Sequence, residues 1–184
     1  LVQAATDHAA TAQDHADAAE GALGRADEAL EVITSADASE LRKRCARHAS
    51  ASRRAAKTAT RSAEQTERAR TIDDARSSAN AAGQASREAE EELESAKQLS
   101  DEVVAMAGEA AARKAAISKA RAEATSLAES ARRSAQKARD DIDRLLDDTA
   151  GITGARALET RTEAVEFVQT AEHAARRAEE EALV

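Results

Sequence analysis

The chain has 184 residues, of which 34% are charged, and its 27 Lys and Arg against 35 Asp and Glu give a formal net charge of −8. It contains no Pro, Trp or Tyr and only one Phe, so the large side chains that build thick cores are almost absent. Strong helix formers dominate instead, and β-branched and aromatic residues are too sparse for a pleated core. The composition therefore excludes a β fold and predicts an all-α protein with long helices.

The first predicted helix covers residues 2–34. Apolar residues recur in it at alternating spacings of three and four, which is the pattern of a coiled coil, and we call such a row a heptad seam. The regular seam argues against disorder, which an acidic chain poor in aromatic residues would otherwise suggest. The first seam consists of Val2, Ala5, Ala9, Ala12, Ala16, Ala19, Leu23, Ala26, Leu30 and Ile33.

The second predicted helix covers residues 40–98. The first seam ends at Ile33, and Asp37 with Glu40 has the spacing of a capping box. The end of this helix is less well defined. We place it before Ser100, which resembles a helix start, although Gly108 and a capping box at Thr71 are alternatives. A second seam consists of Ala75, Ala79, Ala82, Ser86, Ala89, Leu93, Ala96, Leu99, Val103, Met106 and Ala110.

The third and fourth helices are predicted over residues 101–148 and 155–183. Gly151 and Gly154 mark the break between them, since the rest of the chain is poor in glycine. Together the four helices are expected to form a single extended domain over residues 1–184, an elongated antiparallel bundle with alanine-rich heptad seams. The third seam consists of Ile117, Ala120, Ala124, Leu127, Ala131, Ala135, Ala138, Ile142 and Leu145.

Charge alternates in blocks along the chain. The net charge is −8 over residues 1–41, +8 over 42–70, −7 over 71–112, +6 over 113–139 and −7 over 140–184. Antiparallel helices of opposite charge select each other as partners, as e and g positions do in coiled coils. We therefore expect the first helix to lie along residues 42–70, and residues 71–112 to form a hairpin with 113–139.

Candidate metal ligands are few. His8 and His15 are seven residues apart, so they lie on one helix face, but a metal site needs three or four ligands. His48 and His173 have no recognisable partner in the sequence. We therefore predict no metal-binding residues and interpret the His8/His15 pair as part of the heptad pattern.

Cys45 is the only cysteine, so an intramolecular disulfide is excluded. Its spacing from Leu41 and His48 is typical of a buried seam residue. Nearby basic residues (Arg42, Lys43, Arg44 and Arg47) could lower the pKa of its thiol, but no general base or orienting group is visible.

The remaining patterns do not favour catalysis or nucleic-acid binding. The basic stretch 42–70 has no aromatic residue for stacking on bases, and the overall charge opposes a polyanion. The acidic cluster Glu90–Glu94 is interpreted as a solvated helix face. No phosphate loop, catalytic triad spacing or zinc pattern is present in the sequence. We predict no catalytic and no cofactor-binding residues, and no nucleic-acid partner.

The alternation of alanine and glutamate in segments such as Ala85–Ala96 and Ala171–Ala182 resembles the glutamic acid/alanine-rich surface protein of the African trypanosome Trypanosoma congolense. The resemblance covers essentially the whole chain. It implies a GPI-anchored coat protein on the extracellular face of the plasma membrane, with an extended bundle similar to the core of variant surface glycoproteins. Membrane attachment is then expected only through a C-terminal lipid anchor that this chain does not carry. The family implies no catalytic residues and no cofactor.

Two other classes of function stay open at this point. A helical binding module, such as a host-ligand receptor or an adhesin, would need an exposed apolar patch, expected at a tip near Ala36 or Ile152. An intracellular coiled-coil scaffold would need a partner helix. Weak self-association is compatible with each class, and the sequence identifies no ligand.

Overall fold

The computed structural model describes residues 1–148 and 154–183. It contains helices α1 (Val2–Val32), α2 (Ala36–Arg68), α3 (Ile72–Asp148) and α4 (Ala155–Leu183), and no strand within the described residues. The prediction of an all-α helical bundle is therefore confirmed. The chain divides into two compact units, unit 1 (Leu1–Ala112) and unit 2 (Arg113–Val184), and the single-domain description of 1–184 stays a prediction.

Unit 1 is a three-helix bundle of α1, α2 and the first part of α3. Alanine residues from all three helices meet in its centre, and larger apolar side chains enter the core only towards the α1–α2 turn, where Leu93, Leu99 and Val103 are buried. Small side chains let helix axes approach closely, which gives this unit a narrow core. Its most alanine-rich cluster consists of Ala12, Ala16, Ala55, Ala56, Ala59, Ala85 and Ala89.

The first seam lies largely on the buried face of α1. Ala5, Ala12, Ala16 and Ala26 are buried, and Leu23 is half-buried. Val2 is the exception, because it stands in the first turn of the helix and is exposed. The three-four spacing thus identified the inward face of α1.

The turn between α1 and α2 lies close to its predicted position, but its cap differs. Ser35 has an extended backbone conformation, and its hydroxyl accepts a hydrogen bond from the Ala38 amide at 3.3 Å. The helix therefore begins at Ala36 rather than at Glu40. Asp37 lies in the first turn, where its negative charge interacts favourably with the positive end of the helix dipole.

The prediction of a turn between residues 98 and 101 is wrong. The chain turns at residues 69–71, and the Thr71 hydroxyl caps α3 by accepting from the Asp74 amide at 3.1 Å. The same hydroxyl donates to the Asp74 carboxylate at 2.7 Å. Ser100, which resembled a helix start, is completely buried within α3.

The position of this turn also overturns the predicted hairpin of residues 71–112 with 113–139. Both stretches belong to the single helix α3, so they cannot fold back on each other. Residues 71–112 pack instead against α1 and α2, because the apolar face around Ala82, Ala89 and Ala96 completes the alanine core of unit 1.

Unit 2 contains the second part of α3 and α4. The predicted helix limits at 148 and 155 agree with the structure, whereas Gly151 lies outside the described residues. The third seam is only partly correct. Ala135 is buried, but Ile117 (56%), Leu127 (71%) and Leu145 (52%) are exposed. Of the residues one position further along, Ala128 is buried and Leu146 is half-buried.

We expect larger side chains in the alanine core of unit 1 to destabilise the protein. Ala89→Leu should destabilise the protein by about 1–3 kcal/mol, because Ala89 is fully buried and the extra methylene and methyl groups would push the helices apart. Urea unfolding followed by circular dichroism measures the change. Ala105→Leu, at an exposed position of the same helix, is the matched control and should stay within about 0.5 kcal/mol. Equal midpoints for the two variants would contradict a close-packed core.

Candidate functional site

The interface between α2 and α3 contains buried polar side chains that bond to the backbone of the opposite helix. The Ser52 hydroxyl donates to the Ala89 carbonyl at 2.9 Å, and the Cys45 thiol donates to the Ala96 carbonyl at 3.3 Å. Both side chains are fully buried. A buried hydroxyl or thiol needs such a partner, and the neighbouring helix is close enough to provide it.

His48 and Glu92 form a half-buried polar contact between these two helices. The His48 Nδ1 atom lies 2.6 Å from Glu92 Oε2, and both side chains are about two-thirds covered. The sequence shows no recognisable partner for His48, and the acidic run that contains Glu92 is typical of a solvated helix face. The sequence signal for a partly buried His48 is its position three residues after Cys45, which places it beside the buried stripe of α2.

The interface between α1 and α2 is bordered by ion pairs. The Arg42 guanidinium donates to both carboxylate oxygens of Asp27, with Nη2 at 3.1 Å from Oδ2, and Arg53 pairs with Glu20. The hydrogen bond from Arg42 holds the pKa of Asp27 below its ordinary value, and it raises the pKa of Arg42 in turn. These contacts confirm that the acidic first helix lies along the basic block 42–70.

The thiol of Cys45 differs from the expectation based on its basic neighbours. Burial raises its pKa, and the negative charge of Asp27 acts in the same direction. Arg42 and Arg25 oppose this shift, but they are too weak to reverse it. The thiol is therefore kept protonated in an apolar layer, which is unfavourable for a nucleophile.

The histidine residues do not come together. His8 is exposed, with its ring beside Gly83, and His15 is half-buried with an Nδ1 atom that has no hydrogen-bond partner in the described part of the chain. His173 is exposed on α4. Within residues 1–148 and 154–183, no group of three or more His, Cys, Asp or Glu is placed to hold a metal ion.

Several basic side chains of α2 form ion pairs with acidic side chains. Arg42 and Arg53 pair across to α1, Arg47 pairs with Glu40, and Arg68 pairs with Glu64. Such exposed pairs contribute at most about 1 kcal/mol each, and the two that connect α2 to α1 favour one arrangement of these helices. The polar contacts of unit 1 thus specify which helices meet and in what register, which is a structural role.

Neither family models nor curated proteins nor solved structures gave a match to this chain. The resemblance to the trypanosome surface family therefore rests on the sequence pattern. Among the described helices, none is long and apolar enough to span a bilayer.

The Asp27–Arg42 pair predicts a pH dependence with a definite sign. Because the pKa of Asp27 is lowered on folding, the stabilisation is complete above its ordinary value of 3.8 and is lost as the pH falls through the folded pKa. Asp27→Asn should cost at most about 1 kcal/mol at neutral pH, since both side chains are partly exposed, and nothing at a pH below the folded pKa.

Urea unfolding of both proteins between neutral and acid pH measures this difference. Glu28→Gln, at the next and exposed position of α1, is the control and should show a much smaller effect. A stability difference for Asp27→Asn that persists unchanged into acid would contradict the ion pair.

Cys45 should react slowly with thiol reagents in the folded protein, because its side chain is fully buried and its pKa is raised. In Ser50→Cys, the introduced thiol is on the exposed face of the same helix. This variant should consume a disulfide reagent in two phases, a fast one from position 50 and a slow one from Cys45. After denaturation the two thiols should react alike. A single fast phase in folded Ser50→Cys would disprove the burial of Cys45.

Proposed function

We propose that the protein is a non-catalytic structural component of a cell-surface coat, held on the extracellular face of the plasma membrane by a GPI anchor. The observation that carries this proposal is the construction of unit 1, in which three helices pack on an alanine core and direct charged side chains outward. A coat needs molecules of small cross-section that pack side by side. Helices with an alanine core pack at short interaxial distances, which gives a three-helix bundle a small cross-section.

The charge of the chain supports the same function. A net charge of −8 makes neighbouring copies repel each other at long range, which keeps a dense layer soluble. The exposed charged side chains are mixed in sign and joined in local pairs, such as Lys97 with Glu94 on α3. The resemblance to glutamic acid/alanine-rich coat proteins of trypanosomes adds the lipid anchor and the location to this proposal.

A helical binding module is the second candidate, and exposed apolar side chains favour it. Val32 (64% exposed) lies near Ala36, at one of the two predicted tips, whereas Ile152 lies outside the described residues. Leu1, Val2 and Ile72 are also exposed and border one open groove at the α2–α3 turn, a position that the sequence pattern did not indicate. An intracellular scaffold is the third candidate, and the same experiment separates it.

We expect an antibody against the folded protein to label intact cells that express it uniformly over their surface. Treatment with phosphatidylinositol-specific phospholipase C should release this labelling into the medium. The control is a cytosolic marker, which must stay unlabelled until the cells are permeabilised. Labelling only after permeabilisation would refute the coat and favour the scaffold. Patchy labelling that depends on contact with a host surface would favour the binding module.

A further inference from the structure

The outer face that α1 and α2 form together carries two rows of charge beyond the ion pairs of their contact. Glu20 with Arg53 and Asp27 with Arg42 mark the solvent-exposed edge of that contact. Next to this edge, each helix has a further row of exposed residues at intervals of seven. We call them the acidic row, which consists of Asp17, Gly24 and Glu31, and the basic row, which consists of Lys43, Ser50 and Lys57.

Helical spacing places both rows beside the edge pairs. Asp17 stands three residues before Glu20, and Lys57 stands four residues after Arg53, so each is a surface neighbour of a paired side chain. All members of the two rows are exposed, which puts them on the outer side of the pairs and not on the core side. In the described part of the chain, Asp17 accepts a hydrogen bond from Gln13 but takes part in no ion pair, and neither does Lys57.

The two rows are complementary in charge and in order. The acidic row reads acid, glycine, acid, and the basic row reads base, serine, base. The pairs Glu20–Arg53 and Asp27–Arg42 fix the antiparallel register of the helices, so positions 17 and 57 lie at about the same level, as do 24 and 50, and 31 and 43. The surrounding stretches have the same signs. Residues 14–31 of α1 contain six acids and one base, and residues 43–61 of α2 contain seven bases and no acid.

One two-fold arrangement of this face brings the unlike rows of two copies together. In a two-fold interface the same surface of both copies meets. An axis that crosses the helices would set α1 on α1 and α2 on α2, with like charges opposed. An axis parallel to the helices sets α1 of each copy antiparallel on α2 of the other and keeps every residue at its own level. Asp17 then faces Lys57 and Glu31 faces Lys43, each twice, and the helices overlap along their whole length.

Glycine in the middle of α1 allows the close approach that this arrangement needs. Gly21 and Gly24 are exposed, and a Cβ atom at either position would meet no atom within 4 Å. The packing of unit 1 therefore does not require glycine there, and glycine weakens a helix relative to alanine. The small residues Gly24 and Ser50 lie at the centre of the two rows, where they permit short interaxial distances between helices of two copies.

We propose that the α1–α2 face of unit 1 is a self-association surface, on which a second copy of this chain packs about a two-fold axis parallel to the helices. The acidic row of each copy contacts the basic row of the other over about 45 Å, the length of α1. Charge selects the partner and its direction. Because exposed ion pairs are individually weak, the dimer forms only at high protein concentration. The proposal rests on unit 1 alone, and it does not depend on where in the cell the protein is located.

The first test is sedimentation equilibrium of the full chain from micromolar to millimolar concentration. We expect a monomer–dimer equilibrium whose dissociation constant rises between about 0.1 M and about 1 M salt, because the screening length falls from about 10 Å to about 3 Å. Asp17→Lys and Lys57→Glu should each raise this constant about tenfold, since each sets like charges opposite each other twice per dimer. Arg44→Glu is the control, because Arg44 is exposed one turn before His48 on the side of α3, and it should stay within about twofold.

A mixture of the two charge variants tests whether the rows pair between copies. In a mixed dimer the two exchanged charges face each other, and the original Asp17 of one copy faces the original Lys57 of the other. The dissociation constant of the mixed dimer should therefore lie within about threefold of that of the unchanged protein. Fluorescence anisotropy of labelled Asp17→Lys titrated with Lys57→Glu measures it. Pairing within one chain would not produce this recovery.

A glycine substitution tests close approach without a change of charge. Gly24→Leu should raise the dissociation constant about tenfold, because the side chain would hold the two copies apart. The same variant should raise the thermal midpoint of the monomer, measured by circular dichroism at micromolar concentration, since leucine is a better helix former than glycine. Gly108→Leu is the matched control. It replaces another exposed helical glycine with open space around it, but on α3, so it should leave the dissociation constant within about twofold.

Four results would overturn the proposal. The first is a protein that stays monomeric at every concentration. The second is a shift in opposite directions by Asp17→Lys and Lys57→Glu, which would indicate an effect of net charge alone. The third is a mixture that associates no more tightly than either variant, and the fourth is an equal effect of Gly24→Leu and Gly108→Leu. A monomer that binds an immobilised sulfated polysaccharide, and loses this binding in Lys57→Glu, would assign the basic row to a polyanion instead.

Discussion

Close approach of helices across an alanine core is the constraint on which the rest of unit 1 depends. Because Ala12, Ala59 and Ala89 contribute only a methyl group each, the backbones of neighbouring helices come within reach of short side chains. Ser52 and Cys45 can therefore donate across the α2–α3 interface to main-chain carbonyl groups. The His8 ring lies so near Gly83 that a Cβ atom there would be 3.2 Å from Nε2.

The same narrow core gives charged side chains an unusually large part in specifying the fold. Alanine buries little apolar area, and at about 25 cal/mol per Å² each residue stabilises the bundle only slightly. Successive core positions of a helix carry the same small alanine side chain. A core made of alanine therefore does not by itself distinguish one register from another. Pairs that border the core, such as Asp27 with Arg42 and His48 with Glu92, do distinguish them. The alternating charge of the chain therefore helps to determine helix pairing and register in unit 1, and it also favours solubility.

The elements with strong periodicity and an obvious break were predictable, and the turn at residues 69–71 was not. The inward face of α1 and the limits at 148 and 155 followed from heptads and glycine. The α2–α3 turn has neither Gly nor Pro, and its one signal is the cap at Thr71, which the sequence also offers at Ser100. Serine has two roles in this chain that the sequence does not distinguish, because it can cap a helix or lie in the core. Ser52 and Ser100 lie in the core. Of the polar site, the α1–α2 charge pairing was predictable, whereas the His48–Glu92 contact depends on the correct turn.

The misplaced leucines of unit 2 have a related physical cause. A seam is normally recognised by its largest apolar residues, which led to the inclusion of Leu127 and Leu145. In a chain where 51 of 184 residues are alanine, an alanine often stands next to a leucine and can take its place in a seam, and Ala128 is the residue that is buried. Burial in this part of α3 therefore does not follow side-chain size, because Ala128 is buried while the neighbouring Leu127 is exposed. Large apolar side chains such as Leu127, Leu145 and Phe167 remain at the surface of unit 2.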